Sequence, residues 1–175
     1  MPASLSVITA AFLIPLSAII SYYDVCYRRI PNSFVVATLA SGILINVFYG
    51  GFSGAVTSLL GCVIAFTLMF VLHVFGAMGA GDVKLFAAIG ALMGAQLVLP
   101  TFLVVALTGG LLGIVSMIRA GQLKFTLMRV SQILIGLLPG YKIPRFPVPA
   151  DRRHTIPYGV AITLGTFISL VIFRP

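Results

Sequence analysis

The chain has 175 residues, of which 60% are hydrophobic and 8% charged, with no tryptophan. About a quarter of the residues in a soluble domain are charged; this usage excludes a water-soluble fold, and long apolar runs in place of short alternating segments exclude a membrane β-barrel. The net charge of +8 does not point to nucleic acid, because the cations are scattered over several connecting segments without a nucleic-acid motif.

The first apolar run, residues 5–23, has no Lys or Arg before it and no small-residue cleavage site, so it reads as a membrane span and not as a removable signal. Further spans are predicted over 34–49, 54–75, 85–99, 101–118 and 157–173. The expected fold is an all-α, polytopic helix bundle of about six transmembrane helices in a single domain, 1–175, with the lipid bilayer as its solvent. Tight turns are expected near Gly50 and Pro100. Segments 24–33, 76–84 and 119–156 hold ten of the eleven Lys and Arg residues, Arg174 being the exception. The positive-inside rule puts those segments in the cytoplasm and both termini outside. Within 119–156, residues 122–132 mix cations with apolar residues as an interfacial amphipathic segment does, and Gly140, Pro144, Pro147 and Pro149 mark an exposed connector. Cys26 and Cys62 sit at different predicted depths, and neither a disulfide nor a metal site is expected from them.

Acid–base chemistry has few candidates, because the chain contains no Glu and three Asp. Asp24 closes the first span, Asp82 precedes the fourth, and Asp151 lies in the Pro-rich connector beside Arg152 and Arg153. Two spans separate Asp24 from Asp82, which returns both to one face. Both adjoin apolar helices, where an ionisable group is costly and marks a functional site by default, whereas Asp151 reads as a solvated loop residue. Structural readings compete at this point. Asp24 is spaced i, i+4 from Arg28 for an interfacial ion pair, and Asp82, following Gly79-Ala80-Gly81, is placed to cap the next helix. Sharing a site, two aspartates would split their pKa values and divide the roles of base and acid in attacking a peptide carbonyl. The glycines beside Asp82 would let an extended backbone approach. Paired acids beside a Gly-interrupted helix also suit a small ion-coupled transporter, and a noncatalytic assembly subunit is a third reading.

The residues Asp24-Val25-Cys26-Tyr27-Arg28-Arg29-Ile30-Pro31-Asn32 resemble the first motif of the type IV prepilin peptidases, an aspartate followed after five residues by aliphatic-Pro-Asn. Gly79-Ala80-Gly81-Asp82-Val83-Lys84 is similar to that family's Gly-x-Gly-Asp-x-Lys block, and Pro157-Tyr158-Gly159 to its Pro-aromatic-Gly segment before the last helix. The short length most resembles the tight-adherence (Flp pilus) type. The resemblance implies a metal-free aspartic endopeptidase of the bacterial inner membrane with Asp24 and Asp82 as the catalytic pair. Its substrate would be a prepilin, cut after the basic leader at the cytoplasmic face. The longer relatives' cysteine tetrad has no counterpart ahead of the first span, so methyl transfer is not expected. Gly79, Gly81, Lys84, Pro31 and Asn32 are expected to shape the site or bind substrate. Pro31 and Asn32 would form the turn into the second span, while Lys84 pairs with Asp82 or substrate, or snorkels to the interface. His73, near the same face, reads as a satisfied core histidine or as a neighbour of the site.

Overall fold

The structure is a computed structural model that describes residues 3–27, 29–75, 78–119, 121 and 158–173. The described elements are all helical: α1 (Ala3–Tyr27), α2 (Asn32–Val74), α3 (Ala80–Met93), α4 (Ala95–Arg119) and α5 (Tyr158–Ile172). Two compact units are distinguished, Met1–Gly109 with Pro157–Pro175, and Gly110–Ile156. The second contains the last turns of α4 and the expected amphipathic segment, and residues 122–132 lie outside the described residues.

The 43 residues of α2 would make a rod of about 65 Å, roughly twice the bilayer core, if straight. Instead the helix breaks at Gly51, whose φ of 56° and ψ of −137° suit a residue without Cβ. Beyond the break, Gly54 lies so close to the backbone of Asn46 that no side chain fits between them. In an unbroken helix those residues would be about 12 Å apart. The element is thus a tight hairpin with arms 32–50 and 52–74, which places the reversal where the Gly50 turn was expected.

The second break falls elsewhere than expected. α3 ends at Met93, and Gly94 (φ 76°) joins it directly to α4, so Pro100 lies inside α4 and not in a turn. Gly94 alone meets the need for a left-handed residue. Pro100 is the sixth residue of α4, past the first turn, so the helix runs through it without the ladder bond its missing N–H would give to the Gln96 carbonyl. α3 also starts earlier than expected, at Ala80, which brings Asp82 into its first turn.

The inward and outward faces of α2 are inverted relative to a soluble protein. Buried inside are Thr38, Gly42, Asn46, Ser58, Gly61 and Ala65, while Phe48 and Phe52 are 83% and 86% exposed. Lipid accepts exposed Phe and Leu at no cost, and helices within it associate through small residues and hydrogen bonds. At the seam, Asn46 donates to the Gly42, Ala91 and Leu92 carbonyls (2.8, 3.1 and 3.1 Å), and Ser58 donates to the Ala91 carbonyl (2.7 Å). Gly61 and Gly90 touch backbone to backbone. Around this seam lies the apolar core, with Phe86, Leu85, Ile89, Leu92 and Met69 fully buried. The helices α2 and α4 are each long and apolar enough to cross a membrane, and Ala11–Tyr27 and Tyr158–Ile172 are shorter apolar stretches.

Candidate active site

Three helix ends and one loop of the first unit converge on the two acids. Asp24 is carried one turn before the end of α1 and is 7% exposed. Its Oδ2 accepts a hydrogen bond of 2.7 Å from the N–H of Gly159, 135 residues away in the first turn of α5. That amide is one of the orphan donors every helix N-terminus presents, and a carboxylate placed there also meets the positive end of the helix dipole. The approach depends on Gly159, because a Cβ there would stand 2.7 Å from Asp24 Oδ2 and 3.0 Å from its Cγ. One turn deeper, Ser21 and Thr163 share a hydroxyl hydrogen bond of 3.0 Å that fixes the same pair of helices. Thr101 with Ser169 (2.8 Å) and Thr108 with the Ala161 carbonyl (3.2 Å) tie α5 to α4.

Asp82 is the third residue of α3, and its Oδ2 accepts from the Gly79 N–H at 3.1 Å. The capping expected from sequence is therefore present, reaching backward to the residue before the helix. It coexists with proximity to the other acid. Burial pushes the Asp82 carboxyl up to about 6; the Gly79 hydrogen bond works against the rise and the charge of Asp24 adds to it. Tyr158, next to the amide that holds Asp24, also lies within electrostatic reach of Asp82. The two acids thus sense each other across three helices.

The remaining residues singled out from sequence take supporting places. A Cβ on Gly79 would stand 3.1 Å from Asp82 Oδ2, so the glycine makes room for the carboxylate. Gly81 faces Ile30, whose Cβ would lie 3.8 Å from a side chain at Gly81, and this seats the segment after α1 against the start of α3. Pro31 is the N-cap of α2 with an extended backbone, its carbonyl accepting from Phe34 N–H at 3.1 Å, and Asn32 is the first helical residue. Lys84 is exposed. His73 is half-buried, with Nδ1 2.8 Å from the Met78 carbonyl. Arg28 and Asp151 lie outside the described residues, so the ion pair and the connector acid are untouched by this geometry. No group of three or more His, Cys, Asp or Glu side chains suited to a metal occurs among the described residues. Sequence reasoning missed the part of Gly159 as amide donor to Asp24, although the Pro157-Tyr158-Gly159 block was its visible signal.

The described residues thus form an all-helical fold with two helices long and apolar enough to cross a membrane, and they bring two acids near one another at helix starts. Residues 11–114, which include both acids, match the type IV leader peptidase family, and the chain belongs to that family. It is 29% identical over 169 residues to the prepilin leader peptidase/N-methyltransferase of Bacillus subtilis (strain 168). That alignment covers 95% of this chain and 56% of the relative, so the chain spans little more than half of its length. No solved structure matches.

Proposed function

We propose that the chain is an aspartic endopeptidase that removes the basic leader of a prepilin, of the Flp type, at the cytoplasmic face of the bacterial inner membrane. The supporting observation is the convergence of Asp24 and Asp82, far apart in sequence and carried by different helices, to within reach of each other's charge. Family membership supplies the peptidase class, and the relative, a prepilin leader peptidase/N-methyltransferase, supplies the substrate class.

The two environments suggest how labour is divided. Asp24, holding the Gly159 amide at a helix start, is suited to the ionised form. Asp82, with its carboxyl raised to about 6, is the member of the pair suited to carry the shared proton, in the fraction of molecules that hold it. Asp24 takes a proton from water as the oxygen attacks the scissile carbonyl carbon, and Asp82 donates its own to the oxyanion. Collapse of the tetrahedral species returns that proton to Asp82 and breaks the C–N bond, the leaving amine taking the proton held by Asp24. The prepilin's apolar helix would lie in the bilayer against this bundle and bring the scissile bond to the acids at low entropic cost. The proposal covers the hydrolytic step alone. No feature of the site favours ion transport or a purely structural role over hydrolysis.

Co-expression with a prepilin that carries a basic leader tests the reading. Asp24→Asn and Asp82→Asn should each abolish processing with the protein still inserted and abundant, because an amide neither accepts the water's proton nor shares one. Asp151→Asn should process normally. Substantial cleavage by either of the first two variants would sink the two-aspartate mechanism.

A further inference from the structure

We propose that His73 is a positioning residue for Asp82, acting through the single peptide group between Met78 and Gly79. The inference rests on Asp82 being one of the two working acids. His73, one residue before the end of α2, places Nδ1 2.8 Å from the Met78 carbonyl. The N–H on the other side of that same peptide unit, belonging to Gly79, donates to Asp82 Oδ2 at 3.1 Å. Imidazole and carboxylate thus hold opposite ends of one amide. A carbonyl accepts only, so Nδ1 carries a proton in this contact.

The arrangement has two physical effects. The first is orientation: turned half over, the amide would present its carbonyl to the carboxylate and replace attraction by repulsion. Gly79 is free to permit that rotation, and a Cβ added to stiffen it would press on Asp82 Oδ2 at 3.1 Å. The restraint has to come from outside, and His73 supplies it. The second is polarisation, since a carbonyl that accepts a hydrogen bond makes its own N–H a better donor. Among the described residues, the other titratable or charged groups near Asp82 are Asp24 from α1 and Tyr158 from α5, with the exposed Lys84 on its own helix. His73 instead meets Asp82 through the Met78–Gly79 amide, on the carbonyl side of the group whose N–H the carboxylate accepts.

The chain's lack of Glu and its three Asp make an infrared pH titration of the carboxyl band of the purified, membrane-reconstituted protein readable, with Asp82→Asn assigning the band. His73→Leu should make Asp82 bind its proton about tenfold more tightly, the share of a hydrogen bond to a charged group. His73→Asn, whose amide nitrogen stands where Nδ1 stood, should restore the native midpoint, and His73→Gln, whose amide reaches the Nε2 position, should not. A midpoint unmoved in His73→Leu, or Asn and Gln variants that behave alike, would overturn the proposal. Should the variants fail to accumulate, nitrogen NMR of the native protein decides: of its two histidines, His73 and His154, His73 must carry its proton on Nδ1. Finding it on Nε2 alone at neutral pH refutes the contact. Neither readout requires cleavage, so failure of the peptidase reading would show separately in the processing assay.

Discussion

Replacing Gly159 with alanine separates the needs of the helix from those of the site. In a helix alanine is preferred to glycine by up to about 1 kcal/mol, so the substitution should not weaken α5. The new Cβ, however, would stand 2.7 Å from Asp24 Oδ2, where ordinary contact begins at 3.4 Å. Relieving the overlap takes a shift of about 0.7 Å, enough to stretch the 2.7 Å Gly159–Asp24 hydrogen bond to about the limit of such bonds. A hydrogen bond to a charged group contributes about 1.5–3 kcal/mol, and each 1.4 kcal/mol is about tenfold in rate. Gly159→Ala should therefore slow prepilin processing roughly 10- to 150-fold at native abundance, read as the ratio of mature to precursor pilin over time. Gly110→Ala, which meets nothing within 4 Å, is the control and should process normally. Gly159→Ala protein that accumulates normally and cleaves within about twofold of native would refute the reasoning.

The pH dependence follows from Asp82. Its protonated fraction falls about tenfold per pH unit above its folded value of about 6, so cleavage should decline as pH rises from there; a rate that climbs over that range would contradict Asp82 as the proton donor. The folded value lies above the unfolded 3.8, so this group should cost the fold stability as pH rises from 3.8 to about 6 and contribute no further change beyond it. Thermal melts across that interval check the sign. Chelators should leave processing unchanged, and loss reversed by added zinc would disprove a two-carboxylate mechanism. At the α2–α3 seam, Asn46→Leu takes the side-chain donor from the Leu92 carbonyl and leaves the Ala91 carbonyl to Ser58, and should lower stability by about 1–3 kcal/mol. Gly61→Ala, with backbone of Gly90 and Gly94 in the way, should be worse, both being measured by melting in detergent.

The two acids were legible because the chain has so few of them, and because lipid makes each one expensive next to an apolar helix. The hairpin was legible at Gly50-Gly51 for a similar reason, a break in a long apolar run. The Gly94 turn was not, since Pro100 is the louder signal in sequence while the backbone reversal requires the left-handed residue. Distance along the chain hid the rest. Nothing local to Asp24 announces that its hydrogen-bond donor is 135 residues away, and nothing local to His73 shows that the carbonyl it reaches shares a peptide unit with the amide on Asp82.

The seam between α2 and α3 also carries an order of events. The last carbonyls of α3, Ala91 and Leu92, are served by Asn46 and Ser58, both of which leave the ribosome first. In hydrocarbon no water can stand in for a missing donor, and the 14 residues of α3, about 21 Å long, are too short to cross the bilayer by themselves. The hairpin must therefore be in place as a receptacle before α3 is released into lipid. Biosynthesis would then bring Asp82 to Asp24 only once the hairpin is set, and the site would be completed later still, when α5 delivers the Gly159 amide to Asp24.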